Sequence, residues 1–229
     1  MPLGLISNCL AVFLGGMAGK ILGGRMSDRI KENLTVILGI CALMIGIVNV
    51  IQVSAMPPVV LSILVGTAVG EILSLEGKIA GVFRLALKKI PLKDNVDMER
   101  YVMVVVLFCA SGFGIFGVLM EGVSGNSSIL LSKSVLDFFT AFIFGSTLGI
   151  AVSLIAIPQF IIFIMLFLLS KSISPLISEA MFSDFIACGG VLTIASGLRI
   201  SSIKKIPIGN MILSLILILP FTYLWSIVK

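Results

Sequence analysis

Long apolar stretches separated by short polar ones, with basic residues in every second gap, constrain this chain more than any other feature. Lys20, Arg25, Arg29 and Lys31 follow the first apolar stretch. Lys78, Arg84, Lys88, Lys89, Lys93 and Arg100 follow the third, and Arg199, Lys204 and Lys205 precede the last. Thirteen of the 16 Lys and Arg fall in these three gaps, leaving Lys133, Lys171 and Lys229 for the other side. This is the positive-inside pattern of a polytopic membrane protein, and it predicts orientation as well as class. Both termini are expected outside, with 22–34, 76–100 and 200–206 cytoplasmic.

Hydrophobic residues make up 59% of the 229 and charged residues 12%, against about 45–50% and about 25% in soluble domains. So much apolar surface needs lipid as its solvent, and the lipid bilayer is the first expected partner. A nucleic-acid role is not expected: the net charge of +5 is accounted for by topology, with no basic face and no interleaved aromatics.

Cys9, Cys41, Cys109 and Cys188 lie inside apolar stretches and form no CxxC; they read as small buried hydrophobes. There is no histidine, which removes His-ligated haem, two-His zinc motifs and Ser-His-Asp catalysis. No cofactor or metal site is expected, and no clustered nucleophile and base points to an enzyme. The first apolar stretch lacks a charged leader and a small-residue cleavage site, so it is expected to be a retained helix.

A spanning helix needs about 20 apolar residues. That length predicts an all-α bundle of about eight transmembrane helices forming one domain over 1–229. The spans are expected near 3–21, 35–54, 57–75, 101–121, 134–154, 156–173, 184–201 and 207–227. An even number is what the charge alternation requires. The stretch 134–173 reads as two spans or as one span plus a re-entrant segment, with Pro158 and Gln159 marking its turn. Residues 76–100 carry Ile79, Val82, Phe83, Leu85, Ala86 and Ile90 at helical spacing, flanked by lysines and closed by Pro91. They predict an amphipathic connector on the cytoplasmic surface, drawn to anionic lipid headgroups, or else an ordinary connector.

Gly39 and Gly46 precede Pro57; Gly190 and Gly197, with the same spacing, precede Pro207. In the expected topology these helices run oppositely. The pattern fits an inverted repeat, the usual construction of secondary transporters. It also fits glycine spacing arising separately in Gly-rich membrane helices. Gly15-xxx-Gly19 permits close helix contact, and a small bundle has little interior, so a homo-oligomer is expected.

Candidate site residues are few. Asn8 is a buried amide that must find a partner or face a cavity. Ser111, Gly112, Gly114 and Gly117 weaken the fourth helix by about 1 kcal/mol per glycine. They either expose main-chain groups to an ion, as in broken transporter helices, or serve tight packing. Lys133 and Asp137 are four apart and share a helix face. Asp137, in the first turn of its apolar run, is either a pathway carboxylate or an interfacial residue favoured by the helix dipole. Glu71 at the inner end, with Glu121, Asp137 and Asp184 at the outer, would place carboxylates at both mouths of a cation path. Asp137, Asn8 and the Gly112–Gly117 backbone are expected to meet at one polar centre, because all three lie at similar depth.

At these positions the chain resembles the YqgA-like family of bacterial inner-membrane proteins of unknown function. The likeness covers nearly the whole chain. It rests on Gly4-xxx-Asn8, Gly66-xxx-Gly70-Glu71, the glycines after Cys109, Leu131-x-Lys133-Ser134-xx-Asp137, and the Gly190/Gly197 helix before Lys204-Lys205-Ile206. Where that family has Asp-Gly after the fourth helix, this chain has Glu121-Gly122, which keeps the carboxylate. The resemblance implies a multi-span inner-membrane protein, sometimes described as a transporter candidate, and supplies no substrate. The function expected is a small secondary transporter or channel for an ion or small solute. The alternative is a scaffold or regulator acting through 76–100.

Overall fold

The computed structural model describes residues 2–87, 98–109, 111–173 and 177–228, and among these every regular element is helical. In chain order they are α1 (Leu3–Leu22), α2 (Asp28–Val50), α3 (Met56–Ile72), α4 (Leu75–Leu87), α5 (Met98–Cys109) and α6 (Gly112–Ser124). Then come α7 (Ser128–Leu148), α8 (Ala151–Leu154), α9 (Ala156–Ile173), α10 (Glu179–Ile200), α11 (Ile208–Met211) and α12 (Ser214–Val228). Among the described residues seven helical segments are long and apolar enough to cross a membrane. Met56–Ile72 and Leu75–Val82, bent by 58° where they join, meet the same criterion only together, as one broken span or a re-entrant loop, so the count is seven, or eight with that pair taken as one span. The protein is an all-α polytopic bundle.

The stretch 134–173 falls in two helical segments, Ser128–Leu148 and Ala151–Ser170, each long and apolar enough to cross a membrane. α7 stops because Gly149 takes φ 70° and ψ −150°, a conformation closed to residues with a Cβ. The fifth span begins at Ser128, earlier than the hydropathy of 134–154 indicated, since Lys133 and Ser134 are on its buried face. The fourth apolar stretch carries α5 and α6, with Ser111 in extended conformation just before α6. Ser111 caps α6, its hydroxyl accepting from the Gly114 amide at 3.0 Å.

Two helix pairs organise the core. α1 lies along α7. Gly4 meets Leu130, Gly15 meets Phe138 and Ala141, and Gly19 meets Phe142, so both helices advance in the same direction. The Gly15-xxx-Gly19 face is thus occupied by α7 and offers no surface to a second copy. α2 lies along α10 in the opposite direction. A Cβ on Gly39 would lie 2.6 Å from the Gly197 carbonyl oxygen, and one on Gly46 2.7 Å from that of Gly190. The reverse approaches, Gly197 to Gly39 and Gly190 to Gly46, are 2.6 and 2.8 Å. The two glycine pairs therefore make one reciprocal contact, and the helices that follow each, α3 and α12, also pack together.

One end of the bundle collects the basic gaps. Glu76, at the start of α4, pairs with Arg199 at 2.9 Å and accepts from the Gly209 amide at 2.9 Å. Ile79 and Ala80 rest on a core that includes Tyr101, Leu148 and Ala151, and Gly23 abuts Ser146. The opposite end holds both terminal helix ends: Gly4 and Leu5 donate to Glu121, and Thr222 donates to Asp184. Of the amphipathic connector, Leu75–Leu87 is helical with Val82 and Leu85 exposed. Residues 88–97, including Pro91, lie outside the described residues.

Candidate functional site

Every third or fourth residue of α7 from Leu130 onward faces inward: Leu130, Lys133, Ser134, Asp137, Thr140, Ala141 and Gly145. This is a helical stripe with charge at its centre. Asp137 stands nine residues into α7, about 14 Å along the axis, so it is a mid-helix residue and not a first-turn cap. The Lys133 ammonium pairs with its Oδ2. Asn8 Nδ2 donates to the same oxygen at 2.9 Å, and Gln159 Nε2 donates to Asn8 Oδ1 at 2.7 Å. Four side chains from α1, α7 and α9 thus form one chain of donors ending on a single carboxylate. The Lys133 and Asp137 side chains are 3% and 11% exposed. Charges so buried persist only when paired, since an uncompensated one costs several kcal/mol.

A cavity of about 20 Å³ borders the pair, room for one water-sized occupant. Its polar wall is Ser111, Lys133, Asp137, Thr140 and Ser196, contributed by the α5–α6 break, α7 and α10. Thr140 donates its hydroxyl proton to the Leu136 carbonyl at 2.7 Å and Ser196 to that of Leu192 at 2.9 Å. The Gln159 Oε1 is buried without a hydrogen-bond partner among the described residues.

The other expected site residues divide by what they touch. Gly114 and Gly117 are helical and spent on packing. A Cβ on Gly114 would meet Phe163 at 2.8 Å, and one on Gly117 would meet Leu130 at 2.9 Å. Gly112 begins α6. Glu121 does not reach the cavity: its carboxylate accepts from the Gly4 amide at 2.7 Å, the Leu5 amide at 3.0 Å and the Ser127 hydroxyl at 2.6 Å. It supplies the cap that Pro2 lacks at the start of α1. Asp184 does the same for the α2–α3 connection, accepting from the Ser54 and Ala55 amides at 2.9 and 2.7 Å. Glu71 is exposed at the end of α3 and joins neither group. Glu121 and Asp184, two of the carboxylates expected at the mouths of a path, are instead spent on backbone amides. Gln159, read from sequence as a turn marker, is fully buried in the first turn of α9. An amide in an otherwise apolar run was the signal for it, as it was for Asn8. Among the described residues no group of three or more His, Cys, Asp or Glu is placed to hold a metal ion.

The fold and this buried polar centre define a polytopic helical membrane protein with a charged pair sealed in its core. The chain belongs to the family described as Protein of unknown function (DUF554), whose sequence model matches residues 3–223. It is similar to the Escherichia coli (strain K12) "Uncharacterized protein YqgA", 44% identical over 233 residues that cover 99% of this chain and 98% of that protein. It is also similar to the Bacillus subtilis (strain 168) "Uncharacterized membrane protein YdfK", 26% identical over 218 residues, 93% of each chain. No solved structure matches it.

Proposed function

We propose that the protein is a small secondary transporter or channel for an ion or small solute, with the Asp137 cluster as its binding site. The observation that supports this most is convergence. Polar groups from α1, α7, α9, α10 and the α5–α6 break gather around one carboxylate and one small cavity. A scaffold acting through 76–100 has no use for a buried charged pair, whose assembly costs desolvation that an apolar core avoids. The extended Ser111 between α5 and α6, beside the cavity, is a further parallel with transporters, which place discontinuous helices at their sites.

The proposed setting is a bacterial inner membrane, with both termini outside. The gathering of the basic gaps at one end of the bundle, away from both terminal helix ends, supports that orientation. On a background cleared of native cysteines, Asn126→Cys should label from outside and Asp94→Cys should not; the reverse would sink the orientation. For transport, purified protein is reconstituted in liposomes carrying potential-sensitive and pH-sensitive dyes, and ion gradients are imposed. Wild type should dissipate a gradient and Asp137→Asn should not. Equal leak from both would end the proposal.

A further inference from the structure

We infer that the outward face of α4 docks on the surface of the bilayer leaflet at the basic end of the bundle and recognises anionic phospholipid headgroups there. This interaction is independent of the Asp137 cluster.

The bundle itself fixes how α4 is turned. Ser74, at φ 50° in the left-handed region, redirects the chain between α3 and α4, and the two helices meet at 58°. The first turn of α4 is then held from one side. Glu76 pairs with Arg199 at 2.9 Å and accepts from the Gly209 amide at 2.9 Å, and its own amide donates to Asn210 Oδ1 at 2.7 Å. Ile79 and Ala80, three and four residues on, rest on the core. Positions three, four and seven apart share a helix face, so this anchoring settles which face is left over. Lys78, Val82 and Leu85 make up that face, and all three are exposed, Val82 by 66% and Leu85 by 65%.

Position and charge say what covers it. α4 is tied to Arg199 and Gly209, at the end of the bundle where the basic gaps collect. Its exposed apolar residues continue those of α3, since Ile72 and Leu73 just before the bend are 81% and 42% exposed. One apolar surface therefore runs down α3, round the bend and onto α4. On a helix at the edge of a membrane such a face lies at the junction of headgroups and acyl chains. The surrounding charge is one-sided. Lys31 spends its charge on Asp28, and Arg199 on Glu76. Lys20, Arg25, Arg29, Lys78, Lys204 and Lys205 are exposed at this end, against Glu32 and Glu71. Their attraction for anionic headgroups falls off within about 10 Å, so it acts on the same leaflet surface that Val82 and Leu85 reach. An acidic soluble protein would answer the charge but not the apolar continuity with α3.

The experiment places an environment-sensitive fluorophore at Leu85→Cys, on the background cleared of native cysteines, with the protein in vesicles of phosphatidylcholine alone or with phosphatidylglycerol added. Iodide in the water and brominated acyl chains in the bilayer report where the label sits. Phosphatidylglycerol should lower iodide quenching at least about five-fold and raise quenching by brominated lipid. High salt should reverse that change, and Lys78→Gln should reduce it. Strong iodide quenching in both membranes overturns the docking. Equal protection in both overturns the recognition of anionic lipid. Protection from iodide without quenching by brominated lipid shows that protein covers the face, and overturns the inference as well. If the cysteine-free protein does not fold, the chain's single Trp allows a second reporter: Leu85→Trp in a Trp225→Phe background is read with the same quenchers and judged by the same outcomes.

Discussion

Asp137 and Asp184 are both aspartates buried inside spanning helices of this bundle, and they do different work. Asp184 accepts from two backbone amides and the Thr222 hydroxyl; the amides are fixed groups of the α2–α3 turn, and its negative charge suits amides at the start of α3. Glu121 at the start of α1 follows the same pattern. Among the described residues no backbone amide donates to the Asp137 carboxylate. Its partners are the side chains of Lys133 and Asn8, and a cavity lies beside it. A carboxylate bonded to main chain is a structural clamp, since moving it would unmake a helix end. A carboxylate bonded to rotatable side chains beside a void has partners that can be exchanged.

The sharpest test of that contrast is charge balance at the centre. Asp137→Asn alone strands the Lys133 ammonium, and Lys133→Met alone strands the carboxylate. Each should cost roughly 3–5 kcal/mol in unfolding free energy and abolish flux. The double variant, neutral again, should recover most of the stability and none of the flux. Additive losses in the double variant would show that the pair is not coupled, and the contrast would break.

Asp184→Ala should cost less, on the order of 2–3 kcal/mol, because it leaves amides and a hydroxyl unsatisfied rather than a charge. Flux per folded molecule should be unchanged; a selective loss of flux would move Asp184 into the pathway. Smaller still is Gly39→Ala, which drives a methyl against the Gly197 carbonyl and should lower stability by about 1–2 kcal/mol through overpacking. Gly77→Ala, with open space around it, is its control and should not. Glu71→Gln, at an exposed position, should change neither melting temperature nor flux.

Helix content and the apolar stretches long enough to span follow from hydropathy, a property each segment carries by itself. The Lys133–Asp137 pair was equally legible, because four residues along a helix is one turn. Asn8 could be matched to Asp137 by depth, given that α1 and α7 start on the same side. What hydropathy misjudged was the start of α7: a window average counts Lys133 against the helix, whereas the bundle buries it with its partner. Gln159 is the plainest case of what sequence leaves open. It reaches Asn8 across 151 residues of chain, and nothing in the local spacing of either residue encodes that distance. The uses of Glu121 and Asp184 depend likewise on which backbone turn lies opposite. Periodicity and composition are local, so the sequence alone settled a helical membrane bundle and a charged turn within it. Which helix faces which, and hence which carboxylates clamp the chain and which one borders a cavity, depends on the register between distant helices, and only the tertiary structure decided that.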